Sequence, residues 1–68
     1  MIDLKLLRET HGWTEAQMAC YLGVRVGTYR NWEKGRRAVP DTVVRLVEVL
    51  ALIEALAPEI HKMLEPSP

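Results

Sequence analysis

Three glycines at near-regular spacing, Gly12, Gly23 and Gly35, divide the first half of this chain into three short segments. Each segment carries apolar residues at helical spacing, so the pattern specifies three consecutive short helices rather than one long helix or a sheet. Asp3 is placed to cap a first helix running to about His11, with Leu4 and Leu7, joined by Ile2, as its apolar stripe. Gly12 stops it, because a residue following a helix often takes the left-handed conformation that glycine adopts without steric cost, and Trp13 then folds back as an apolar contact. Thr14-Glu15-Ala16-Gln17 reads as a capping box, the hydroxyl reaching forward and the amide reaching back. Met18, Ala19 and Leu22 form the buried face of the second helix, and the turn Gly23-Val24-Arg25 leads into the third.

The third helix is expected to start near Val26 and stop at Lys34-Gly35. Steps of roughly 100° per residue put Tyr29, Trp32 and Glu33 on one side and Gly27, Arg30, Asn31 and Lys34 on the other. The first side can pack and the second is left for a partner. Residues 25–37 hold five basic groups, Arg25, Arg30, Lys34, Arg36 and Arg37, against the single acid Glu33. The whole chain is formally neutral, yet residues 1–40 carry seven basic and four acidic groups, whereas residues 41–68 carry two and five. Such polarity turns one end of the molecule toward an anion. Two short helices joined by a glycine-containing turn define a helix-turn-helix, a unit that places its second helix in the DNA major groove.

Pro40 or Asp41 opens a long helix to about Ala57. Val43, Leu46, Val47, Leu50 and Ile53 fall within one arc of about 120°, enough to cover the first three helices. Val49, Leu52 and Leu56 form a second stripe on another side. A chain of 68 residues has one small core, which leaves only a few kcal/mol of net stability and cannot bury both faces. The second stripe, with Ile60, is therefore assigned to a homodimer interface, the alternative being packing against Ile60 and Leu64 of the same chain. Pro58 breaks the pattern, and residues 58–64 are expected to form a fifth helix with Ile60, Met63 and Leu64 apolar. Residues 1–64 thus read as a single domain, with the helix-turn-helix at about 15–34, helices 41–64 serving core and dimerisation, and 65–68 a tail.

Cys20 is the only cysteine, so no internal disulfide and no cysteine-rich zinc site can form, and it is expected to be a half-buried small residue. His11 and His61 lie in separate segments with no acidic or thiol partner at ligand spacing, so neither a metal, a cofactor nor catalytic chemistry is expected. No apolar run reaches the length of a membrane span, and Asp3 stands where a signal peptide would carry positive charge. A cytoplasmic protein that is not an enzyme is the expectation.

Taken together, these residues make the chain resemble the small helix-turn-helix domains of phage repressors and Cro proteins, also called XRE-like. The resemblance runs from about Leu4 to Leu56. Its carriers are Leu7-Arg8, Gly12-Trp13-Thr14, Met18-Ala19 with Tyr21-Leu22-Gly23-Val24, and Trp32-Glu33-Lys34-Gly35 with Arg36-Arg37 and Pro40. It implies an all-α, five-helix, lambda-repressor-like fold and a repressor of phage or bacterial type that binds double-stranded DNA as a homodimer on an inverted repeat, in autoregulatory fashion.

The resemblance also puts a buried ion pair on Arg8 and Glu33, a pair that the inward phase of Glu33 calls for in any case, since a buried lone carboxylate costs several kcal/mol. It assigns base reading to Val26, Gly27, Thr28 and Asn31, with Arg30 adjacent. Asn pairs bidentately with adenine and Arg with guanine, while the Val26 and Thr28 methyl groups suit a thymine methyl. Arg25, Lys34, Arg36 and Arg37 are placed for phosphate, which supplies affinity and register. The chain departs from the family pattern at three positions: Arg25 stands where Ser or Thr usually caps the recognition helix, Glu15 where Gln usually clamps phosphate, and Gly27 at a reading position. Two other readings use the same sequence: an antitoxin that lends its C-terminal helices to a toxin partner, and a protein-interaction adaptor that does not bind DNA.

Overall fold

The computed structural model describes residues 2–66, and five helices account for most of them. They are α1 (Leu4–His11), α2 (Glu15–Leu22), α3 (Val26–Glu33), α4 (Asp41–Leu56) and α5 (Pro58–Lys62). Among the described residues there is no strand, and the fold is all-α. The reading of 65–68 as a tail falls partly outside the described residues, at 67 and 68.

Local chemistry sets the boundaries of the first three helices. The Asp3 carboxylate accepts from the Leu6 N–H at 3.0 Å and starts α1. At the start of α2 the capping box is complete, the Gln17 N–H donating to Thr14 Oγ1 at 3.1 Å and the Thr14 N–H to Gln17 Oε1 at 2.9 Å. Gly12 ends α1 at φ 71°, a left-handed conformation that lets Trp13 N–H reach back to Arg8 O (3.1 Å) and Gly12 N–H to Glu9 O (3.0 Å). This pair of backward bonds satisfies carbonyls the helix end would otherwise leave open. The same pattern closes α2, with Val24 bonded to Ala19 and Gly23 to Cys20, and recurs after α3, with Arg36 bonded to Asn31 and Gly35 to Trp32. Three helices of eight residues thus stop and turn by one device.

The core is small. It consists of Leu4, Met18, Ala19, Leu22, Tyr29, Val47 and Leu50, ringed by half-buried Leu7, Trp13, Val24, Trp32 and Val43. Tyr29 is fully buried, and its hydroxyl donates to Leu4 O at 3.3 Å, which ties α3 to the start of α1. α2 packs along α3, and α4 crosses α2 and lies against α5.

Four expectations require correction. Leu46 is 37% exposed rather than inward, because α4 presents the narrower Val43, Val47, Leu50 row to the core and Leu46 sits on its flank. α5 ends at Lys62 rather than at 64, and while Ile60, Met63 and Leu64 are 56%, 84% and 43% exposed, the side chain that turns inward is His61. The reason is Ala57, whose φ of −144° and ψ of 67° break the helix before Pro58 and rephase the turn that follows. Cys20 is exposed, not half-buried, since α2 turns Met18, Ala19 and Leu22 to the core. His11 and His61, read as lacking acidic partners, converge on Glu54: His11 Nε2 lies 3.0 Å and His61 Nδ1 3.6 Å from its Oε2.

Candidate nucleic-acid interface

The inward side of α3 is fixed at both ends. Tyr29 is locked in the core, Trp32 packs against that core from a half-buried position, and Glu33 turns back toward α1. There Arg8 donates from Nε to Glu33 Oε2 at 3.1 Å and from Nη2 to Oε1 at 2.9 Å, while Nη1 donates to Trp13 O at 3.1 Å. One guanidinium therefore clamps the end of α3 and the α1–α2 turn together. The side chains of Arg8 and Glu33 are only 16% and 9% exposed, so the pair is poorly screened. Hydrogen bonds from Arg8 hold the Glu33 carboxyl below the usual carboxylate range, and those same bonds raise the Arg8 pKa further above neutrality. Burial pushes the Tyr29 phenol up as well, so it stays a neutral donor.

With the inward side held, the other side of α3 faces out. Gly27, Thr28 and Arg30 are exposed, Asn31 is half-buried at the flank, and Val26 is half-buried against the core. A methyl group added at Gly27 would meet nothing within 4 Å, so this position leaves an open notch in the face. Arg25 precedes the helix without offering a side-chain cap, which leaves the first-turn N–H groups without a side-chain acceptor from that residue.

Arg25, Lys34, Arg36 and Arg37 are all exposed, and among the described residues none of them has an ion-pair partner. Arg36 and Arg37 are positioned through the backbone, since both their N–H groups donate to Asn31 O, at 2.9 and 3.3 Å. Arg30 differs: its Nε lies 3.5 Å from Glu15 Oε1 across the α2–α3 junction. Sequence reasoning placed Glu15 near phosphate but missed this contact, which only the packing of α2 on α3 creates. The Val49, Leu52, Leu56 and Ile60 side chains are far from this chemistry in kind: they are 40%, 60%, 82% and 56% exposed and wholly apolar.

A glycine-stopped helix, a three-residue turn and a second helix whose basic side faces outward form a helix-turn-helix of the DNA-binding class. Comparison with known families agrees: the family model described as Helix-turn-helix matches residues 4–54, three quarters of the chain. The chain belongs to this XRE-type, Cro-like family of DNA-binding regulators, which are typically not enzymes. No curated protein and no solved structure gives a match. No helix among the described residues is long and apolar enough to cross a membrane.

Proposed function

We propose that the protein is a sequence-specific repressor that binds double-stranded DNA as a homodimer. The observation that carries this reading is the one-sided build of α3, whose inner residues are locked by Tyr29 and the Arg8–Glu33 pair while four cations that have no ion-pair partner among the described residues flank its outer side. Arg30 and Asn31 supply base recognition, Thr28 and Val26 supply methyl contacts, and Gly27 lets the helix backbone approach the base edges. Arg25, Lys34, Arg36 and Arg37 grip phosphate. The apolar face of Val49, Leu52, Leu56 and Ile60 pairs with its counterpart on a second copy, which also offsets the small core.

Two recognition helices related in this way read half-sites about 34–36 Å apart, one turn of DNA. Binding there occludes a promoter, and the protein's own gene is the first candidate. Selection from a random duplex pool tests the reading: an inverted repeat with that spacing is expected, and a pool without enrichment would contradict it. A co-purifying toxin held by the C-terminal helices, with DNA binding retained, would favour the antitoxin instead; salt-insensitive partner binding through the apolar stripe, with no retention on heparin, would favour the adaptor.

A further inference from the structure

His61 is 1% exposed and is the one buried side chain among the described residues that lies outside the hydrophobic core cluster. Its Nε2 lies 2.6 Å from the Tyr21 hydroxyl. That contact leaves Nδ1 facing two carboxylates, Glu54 Oε2 at 3.6 Å and Glu65 Oε1 at 3.4 Å. Both separations exceed the 2.7–3.2 Å range of a good N–H···O bond. They match the edge of a coordination tetrahedron, which is roughly 3.4 Å for metal–ligand bonds of about 2.0–2.2 Å. The three ligand atoms all lie within 4.8 Å of one another. We propose that Glu54, His61 and Glu65 bind one divalent transition-metal ion of the zinc class at the junction of α4 and α5.

Charge and the surrounding contacts support the assignment. Among the described residues no Lys or Arg pairs with Glu54 or Glu65, so two carboxylates share only imidazole partners. A ligating histidine generally donates its second N–H to an oxygen that fixes the tautomer and the ring. Tyr21 Oη is that oxygen for His61. Glu54, in turn, is held by His11 Nε2 at 3.0 Å, and the His11 ring is steadied by its Nδ1 contact with Leu7 O at 2.9 Å and by stacking on Trp13. One imidazole nitrogen with two carboxylate oxygens, completed by water, suits Zn²⁺ better than the all-oxygen ions Mg²⁺ and Ca²⁺. The ion would join α4, α5 and Glu65, three residues past the end of α5, and through Tyr21 and His11 it would fasten the C-terminal helices to α2 and α1. This site is separate from the DNA face and does not depend on it.

The test uses the full chain carrying Cys20→Ser, which removes the exposed thiol as a competing ligand. After chelation it is titrated with Zn²⁺ by calorimetry, and with Co²⁺ for the visible absorption of a tetrahedral site. One ion per chain is expected, with a melting temperature that rises with Zn²⁺ and not with equal Mg²⁺. Glu65→Gln alters a side chain that is 41% exposed and leaves the core intact, so folding is retained. It and Glu54→Gln are each expected to weaken Zn²⁺ binding at least about tenfold. Absence of saturable binding, or wild-type affinity in either variant, would overturn the proposal.

Discussion

Arg8→Ala isolates the contact on which the orientation of α3 rests. The substitution deletes three donors at once, the two to Glu33 and the one to Trp13 O, and leaves a carboxylate that is 9% exposed without its cation. Breaking a buried pair by removing one partner costs roughly 3–5 kcal/mol. A domain of this size holds little more than that in total, so the variant is expected to be largely unfolded at 25 °C rather than merely weak in binding. Glu33→Gln is the graded counterpart. It keeps the shape and one acceptor, and Arg8 retains Trp13 O, so the loss is that of a charged hydrogen bond, about 1.5–3 kcal/mol. For a chain of this length, each kcal/mol lowers the melting temperature by about 4–8 °C.

The pair also carries a pH signature. Glu33 has a folded-state pKa below its unfolded value, so the unfolded chain binds the proton more readily. Its contribution is fully present above the unfolded pKa of about 4.3 and disappears as the pH falls through the lower folded value. Thermal melts followed by far-UV circular dichroism at stepped pH measure both effects. Wild type is expected to lose stability on acidification below about pH 4.5, and Glu33→Gln to lose less over the same interval. A melting temperature for Arg8→Ala within a few degrees of wild type, with an unchanged acid limb in Glu33→Gln, would refute the reasoning.

Other substitutions separate fold from binding. Glu15→Gln removes the acid beside Arg30 and releases that guanidinium for DNA; an exposed pair of this kind is worth about 0.2–1 kcal/mol, so a rise of about 1.5- to fivefold in DNA affinity is expected by fluorescence anisotropy. Gly27→Ala places a methyl in open space inside a helix, and a stability gain of about 0.5–1 kcal/mol is expected in thermal melts. Leu52→Glu with Leu56→Glu charges side chains that are 60% and 82% exposed, so helicity should persist while light scattering reports a shift from twice 7.8 kDa to the monomer mass. Arg36→Ala and Arg37→Ala are each expected to flatten the log–log salt dependence of DNA binding by about 0.9.

The parts of this molecule that are legible in its sequence are those governed by neighbours in the chain. Asp3, Gly12, Thr14 with Gln17, and Gly23 act within a few residues, and the helices begin and end where those signals put them. The inward phase of Tyr29 follows from period alone. The less legible parts depend on how helices meet. Leu46 lay within the apolar arc of α4 but outside the strip that α2 and α5 cover, a matter of crossing geometry that periodicity does not encode. Ala57 is unremarkable in sequence, yet its non-helical backbone, φ −144° and ψ 67°, rotates α5 so that His61 points inward. The spacing of His61 and Glu65, four apart, was a visible hint of that cluster; the approach of Glu54, Tyr21 and His11 was not, because it arises from α4 folding over α1 and α2. In the same way Glu15 and Arg30 lie fifteen positions apart, and only the α2–α3 turn brings them to 3.5 Å.

The central claim is that the outer side of α3 reads DNA sequence. Its most direct measurement is the ratio of affinities for a selected inverted-repeat duplex and a scrambled duplex, at one salt concentration, for wild type and for Arg30→Ala with Asn31→Ala. Each lost bidentate contact is worth roughly 1–3 kcal/mol of discrimination. The double variant should therefore bring the ratio close to one, while Arg25, Lys34, Arg36 and Arg37 keep the scrambled duplex bound almost as before. A ratio that survives both substitutions unchanged would contradict the account.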